Sequence, residues 1–199
     1  MFANILHLIA YTLLSLVLLI VVLRFLLQLV RADFYNPLSQ ALVKVTMPAL
    51  RPLRKVIPSV LGLDTASIVL ILLVQLVASM LLCLITGLTG LIVLPHILLV
   101  WGFVGALTII VNVFFWSMII SIIGSFIAPM SHHPLLALAN QIINPLCAPI
   151  RKVLPPLGGV IDVSPIIVLL GLQIVEKILI REFAIWLHLN PQVVLGYWY

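Results

Sequence analysis

The stretch PALRPLRKVIP, residues 48–58, returns as PLCAPIRKVLP, residues 145–155. Pro48, Pro52, Arg54, Lys55 and Pro58 align with Pro145, Pro149, Arg151, Lys152 and Pro155 at a constant offset of 97. Upstream, Pro37 and Leu38 align with Pro134 and Leu135 at the same offset. Downstream, one extra residue near Gly158 and Gly159 moves the offset to 98, where Asp64 meets Asp162 and Gln75 meets Gln173. Prolines, paired bases and helix-cap acids do not recur in register by chance. The pattern predicts a tandem duplication, residues 1–94 and 95–199, of one unit: a long helix, a polar-faced connection and a second helix.

What surrounds each copy sets the medium. Of the 199 residues, 64% are hydrophobic and 8% charged, against roughly 25% charged in soluble domains. That composition excludes a water-solvated globule. Several apolar runs exceed the ~20 residues that cross a bilayer core, so the fold class is an all-α integral membrane protein. The opening run MFANILHLIAYTLLSLVLLIVVL has no basic leader and no small-residue cleavage site, and reads as a membrane helix rather than a cleaved signal. Four transmembrane helices are predicted, over about 5–30, 66–86, 97–127 and 165–189, with Asp64 capping the second and Asp162 or Ser164 the fourth. Cys83 and Cys147 lack metal-ligand spacing.

Basic residues fall on one side of this plan. The connection between the first two spans carries Arg31, Lys44, Arg51, Arg54 and Lys55, and that between the last two carries Arg151 and Lys152. The N-terminus, the middle turn and the tail NPQVVLGYWY carry no lysine or arginine. The positive-inside bias then predicts cytoplasmic connections and periplasmic termini, with Tyr197, Trp198 and Tyr199 in an outer aromatic belt. A unit with an even number of crossings inserts both copies the same way up, giving parallel repeats.

At 100° per residue, Leu38, Leu42, Val45, Ala49, Leu53 and Val56 share one face of the first connection, opposite Lys44, Arg51, Arg54 and Lys55. In the second, Leu135, Ala139, Ile142, Leu146, Ile150 and Val153 oppose Asn140, Gln141, Asn144, Arg151 and Lys152. Segments 37–58 and 134–156 are therefore read as amphipathic elements at the interface. Proline removes a backbone donor and clashes with the preceding turn. The first element is expected to run as a helix over 37–46, bend, and finish as a short turn near Pro58. The bend belongs at headgroup level or in a re-entrant dip.

The paired stretches NPLSQALVKVTMPALRPLRKVIP…DTASIVLILLVQ and HPLLALANQIINPLCAPIRKVLP…DVSPIIVLLGLQ resemble the two YggT domains of the bacterial YggT family, which has plastid relatives. The likeness covers nearly the whole chain. It implies a small inner-membrane protein with no settled enzymatic activity. Relatives have been connected with osmotic-stress tolerance and ion balance, with genes neighbouring cell-division factors, and with assembly of a haem-bearing membrane complex in plastids. The resemblance thus implies an architecture more sharply than a task.

Two readings apply to the bases Arg51, Arg54, Lys55, Arg151 and Lys152: they fix topology, or they grip anionic lipid headgroups or an acidic partner at ~1 kcal/mol each. Intramembrane polar residues form a second group. Arg24 is expected to reach Gln75 or Gln173 or to snorkel to the interface, and the two glutamines to bond each other or act as interhelical glue. Glu176, Lys177, Arg181 and Glu182 lie past the middle of the fourth span, where ionisable groups pair, line water, meet a partner or mark early emergence. His132 and His133 sit at the cytoplasmic start of the second repeat, and His7, His96 and His188 near the other face. They form no ligand motif, so no cofactor is expected. Ser117, Ser121 and Ser125, four apart, allow a close helix seam. No catalytic motif is present, and no nucleic-acid partner is expected. Two functions compete: an adaptor or assembly scaffold for a membrane protein partner or homo-oligomer, and an ion-transport component in osmotic stress.

Overall fold

Long uninterrupted apolar sequence has one way to satisfy its backbone in lipid, the α-helix, and the described residues follow it. The computed structural model describes residues 2–60, 62–127, 133–154 and 162–196. The principal helices are α1 (Phe2–Leu29), α2 (Pro37–Val56), α3 (Thr65–Thr86), α4 (Pro95–Ile127), α5 (Pro134–Val153) and α6 (Ser164–Ile174). A π-helical segment, Val175–Ile180, then leads directly into α7 (Arg181–Trp186). Three helices, α1, α3 and α4, are long and apolar enough to cross a membrane. Asp64 caps α3 by accepting from the Ser67 amide, and Gly87, at φ 79°, ends it in the left-handed conformation. With 33 residues, α4 spans about 50 Å at 1.5 Å per residue, longer than a straight crossing.

The expected fourth span is helical but not uniform. Its packed positions run Val168, Leu172, Val175, Ile180, Ala184 and Leu187, in steps of three or four except for the five between Val175 and Ile180. A regular helix would turn the later residues off the packed face. The π turn, in which the Arg181 amide bonds the Glu176 carbonyl, absorbs the surplus residue and returns Ile180 and Ala184 to the interior.

The expectation that proline breaks the interfacial elements is corrected. Both α2 and α5 run unbroken through two internal prolines each, Pro48 and Pro52, Pro145 and Pro149. Proline at i frees the carbonyl at i−4, here those of Lys44, Pro48, Gln141 and Pro145. Four-residue spacing keeps each pair on one face, and all four prolines are exposed. The cost falls where polar surroundings can satisfy the freed carbonyls, while Thr46 and Leu50, or Ile143 and Cys147, hold the buried side.

Packing has the same pattern in each half: α1 contacts α2 and α3, which touch each other, just as α4 contacts α5 and α6. The halves meet through α3 against α4, α1 against α4, and α2 against α5. Leu18, Val22, Ala78, Leu82 and Leu98 form the most buried part of the core. Large apolar side chains such as Phe2, Leu8, Leu13 and Trp116 stay exposed, as a lipid-facing surface requires.

In the C-terminal segment, Val193, Val194 and Leu195 are fully buried against α1, α3 and α4. The Tyr11 hydroxyl donates to the Val194 carbonyl (3.4 Å), His7 Nε2 to that of Gln192 (2.8 Å), and Trp101 Nε1 to that of Leu187 (3.1 Å). Glycines make the notch: a Cβ at Gly105 would collide with the Leu195 carbonyl and lie 2.7 Å from Gln75 Nε2. The aromatic-belt residues Tyr197, Trp198 and Tyr199, like His132 and the end of segment 134–156, lie outside the described residues.

Candidate functional site

The basic end of the molecule is built from the two amphipathic helices, and side chains fix both ends of each. At their starts, Asn36 Oδ1 accepts from the Leu38 amide (2.9 Å), and His133 Nδ1, 97 positions on, from that of Leu135 (3.3 Å). Asn36 Nδ2 also donates to the Pro134 carbonyl (2.8 Å), and the Asp33 amide donates to Gln141 Oε1 (2.8 Å). The starts of α2 and α5 are thereby tied to each other across the two halves.

At their far ends, each helix is latched to the next element. Arg54 pairs with Asp64, the cap of α3, and Arg151 pairs with Asp162 at 2.7 Å, just before α6. Asp64 also accepts from the Ser67 hydroxyl (2.7 Å), as Asp162 does from the Ser164 amide (2.9 Å) and hydroxyl. Burial pushes the Asp64 carboxyl up, but hydrogen bonds from Arg54 and Ser67 outweigh it and hold its pKa below the usual carboxylate range. Asp162 is also lowered, first by the Ser164 hydroxyl, with burial opposing and the Ser164 amide and Arg151 adding. The sequence predicted Asp64 and either Asp162 or Ser164 as caps, and Arg54 and Arg151 as bases that fix topology or grip lipid or an acidic partner. The spacing, ten and eleven steps along the same repeat, does not by itself say which cation turns inward.

With Arg54 and Arg151 engaged, Lys44, Arg51, Lys55 and Lys152 remain exposed on the two helices. Two cavities sit beside them. One, about 250 Å³, lies between α1 and α2 and is lined by Arg24, Gln28, Arg31 and Ser39 with Leu27, Phe34 and Val43. The other, about 350 Å³, lies between α4, α5 and α6, lined by Ser121, Asn140, Gln141, Asn144 and Arg151. The Ser121 hydroxyl bonds Asn140 Oδ1. Of the predicted serine seam, Ser117 is buried and Ser125 bonds its own helix at Ile122.

Of the alternatives for the intramembrane polar residues, convergence on one another is not the one observed. Arg24 reaches neither Gln75 nor Gln173; its Nη1 donates to Gln28 Oε1 at 3.0 Å, toward the basic end. Gln28 Oε1 also accepts from Arg54 Nη2 (3.2 Å), joining Arg24 to the first latch. Gln75 is fully buried and gives its amide hydrogen to the Leu195 carbonyl (3.2 Å) rather than to Gln173, which is half-buried. Glu176 is half-buried, while Lys177, Arg181 and Glu182 are exposed, and none joins an ion pair among the described residues. No group of three His, Cys, Asp or Glu converges among the described residues.

Comparison with known proteins bears on the whole chain. A family model described as CCB3/YggT matches twice, at residues 3–85 and 100–183. The chain is 48% identical over 174 residues to "Uncharacterized protein PA0392" of Pseudomonas aeruginosa, covering 87% of each. It is 35% identical to the "Uncharacterized protein in proC 3'region" of Vibrio alginolyticus, covering 81% of this chain and 86% of that one. To "Uncharacterized protein YggT" of Escherichia coli K12 it is 32% identical, covering 83% and 84%. No solved structure matches significantly. With two family matches in register with its internal repeat, and relatives aligned along most of its length, the chain belongs to the CCB3/YggT family.

Proposed function

We propose that this protein is a non-enzymatic membrane scaffold with four crossings, the fourth being α6, the π segment and α7 taken together. Its two repeats insert in parallel into the bacterial inner membrane, termini outward. The amphipathic helices α2 and α5 lie on the cytoplasmic face and present Lys44, Arg51, Lys55 and Lys152 to anionic headgroups and to a membrane protein partner, not to nucleic acid. One observation carries this reading: the repeated latch, Arg54 to Asp64 and Arg151 to Asp162, fastens both amphipathic helices to the following helix. Exposed cations fixed on a rigid surface suit recognition, because the ordering cost is met before a partner arrives.

The test is affinity purification in mild detergent, comparing the native chain with the Lys55→Glu/Lys152→Glu double variant. A membrane partner recovered with the native chain and lost at least tenfold from the variant supports the scaffold. Equal recovery from both overturns the basic face as the docking surface.

A second reading, ion transport, draws on the fourth helical run. π turns recur at functional sites, and this one carries Glu176 and Lys177. Ion flux in liposomes that vanishes in Glu176→Ala while the protein stays folded would favour it. Unchanged flux leaves the scaffold reading in place.

A further inference from the structure

The cavity between α1 and α2 is lined by donors. Its wall carries two guanidinium groups, Arg24 and Arg31, and no carboxylate. Neither arginine belongs to the ion pairs of the described residues. Arg24 Nε is buried without a hydrogen-bond partner, although a guanidinium offers five donors in a fixed fork. Ser39 is 5% exposed, and its hydroxyl also lacks a partner. Gln28 contributes a further donor, because Arg24 and Arg54 both occupy its Oε1 and so turn its Nε2 away from them.

Buried polar groups are ordinarily satisfied, and here two unsatisfied ones, Arg24 Nε and Ser39 Oγ, line one cavity together with the second cation, Arg31. A group offering several acceptor oxygens and negative charge would complete them together. From this geometry we infer that the cavity binds a phosphoryl oxyanion, with Arg24 and Arg31 supplying charge-assisted hydrogen bonds and Ser39 and Gln28 the neutral ones. Arginine is the side chain best shaped for such oxygens. The volume of about 250 Å³ far exceeds the ~10–15 Å³ that a single water needs. Leu27, Phe34 and Val43 complete the wall and suit the ester side of the group.

The second half serves as an internal control. Ninety-seven residues on, Ser121 stands for Arg24 and Leu136 for Ser39, while Arg151 in the second cavity is already paired with Asp162. Among the described residues the site is therefore single. This inference rests on the interfacial placement in the scaffold reading and names a ligand class for it.

The test titrates the full chain in non-ionic detergent with short-chain phosphatidylglycerol, counting bound lipid by native mass spectrometry. One saturable lipid per chain is expected. Arg24→Gln, Arg31→Gln and Ser39→Ala should each weaken it, the arginine variants about tenfold. Arg181→Gln, which removes an exposed charge outside the basic end, should leave it unchanged. Added inorganic phosphate separates the sources: competition means that free phosphate enters, and retention of lipid without competition means that the headgroup is the ligand. Non-saturable binding, or an intact site in both Arg31→Gln and Ser39→Ala, overturns the inference. Binding lost in Lys55→Gln/Lys152→Gln but intact in the arginine and serine variants overturns the cavity while leaving the scaffold reading standing.

Discussion

Asp64 does two jobs with one carboxylate. It caps α3 through the Ser67 amide and pairs with Arg54, so Asp64→Asn loses the charge of the pair and weakens the cap together. A lost charge-assisted bond at a 6%-exposed carboxylate should cost about 1–3 kcal/mol. The pH dependence has a definite sign. Because the folded pKa of Asp64 is depressed, its contribution is complete above the unfolded value near ~3.9 and is lost as pH falls through the folded value. Thermal unfolding in detergent should therefore show the native chain losing stability below about pH 4, with a shallower loss in Asp64→Asn. The same substitution at Asp162, 30% exposed with Arg151 at 41%, should cost less, since solvent screens the pair. Gly105 gives a second residue-scale prediction. Gly105→Ala drives a methyl into Leu195 and Gln75 and should destabilise by about 1–3 kcal/mol, while protease access to residues 190–196 rises.

At the scale of elements, the π turn in the fourth helical run makes the sharpest prediction. Deleting Leu179, an exposed residue inside the turn, should convert it to regular helix and keep Ile180 and Ala184 inward. Deleting Leu170, an exposed residue in α6, should rotate everything beyond by about 100° and turn that stripe out. Fluorescence-detected size exclusion after heating should find the first deletion the more stable; the reverse order would mean that the π turn serves something other than register. This element also shows where sequence reading stops. The apolar runs of α1, α3 and α4 were legible because length and composition report them directly, whereas the buried side of α2, Ser39, Thr46 and Leu50, is not the apolar face that its period picked out. The unbroken helices through Pro48 and Pro52 were not, since proline's cost depends on where its freed carbonyl points. Arg54 and Asp64 were each singled out, but their pairing depends on how α2 folds back on α3. The buried tail was hidden in the same way: VVL at 193–195 is too short for a period, and its seat beside Gly105 shows only in the fold.

For the whole molecule, duplication is the organising fact. Two helices at the basic end start from equivalent caps, Asn36 and His133, and finish at equivalent latches. Between them the halves differ: the first has Arg24, Arg31 and Ser39 around a cavity, and the second has the charges at 176–182. Under the proposed scaffold and oxyanion site, this difference would let one surface hold a small ligand and another face a neighbour. All of this requires α2 and α5 to occupy the same side of the bilayer. In a chain whose buried Cys83 and Cys147 are replaced by alanine, Lys55→Cys and Lys152→Cys can be labelled singly with a membrane-impermeant maleimide. Both positions should react in inside-out vesicles and stay protected in intact spheroplasts. Labelling of the two from opposite sides, or of either from the periplasm, would contradict the parallel repeat.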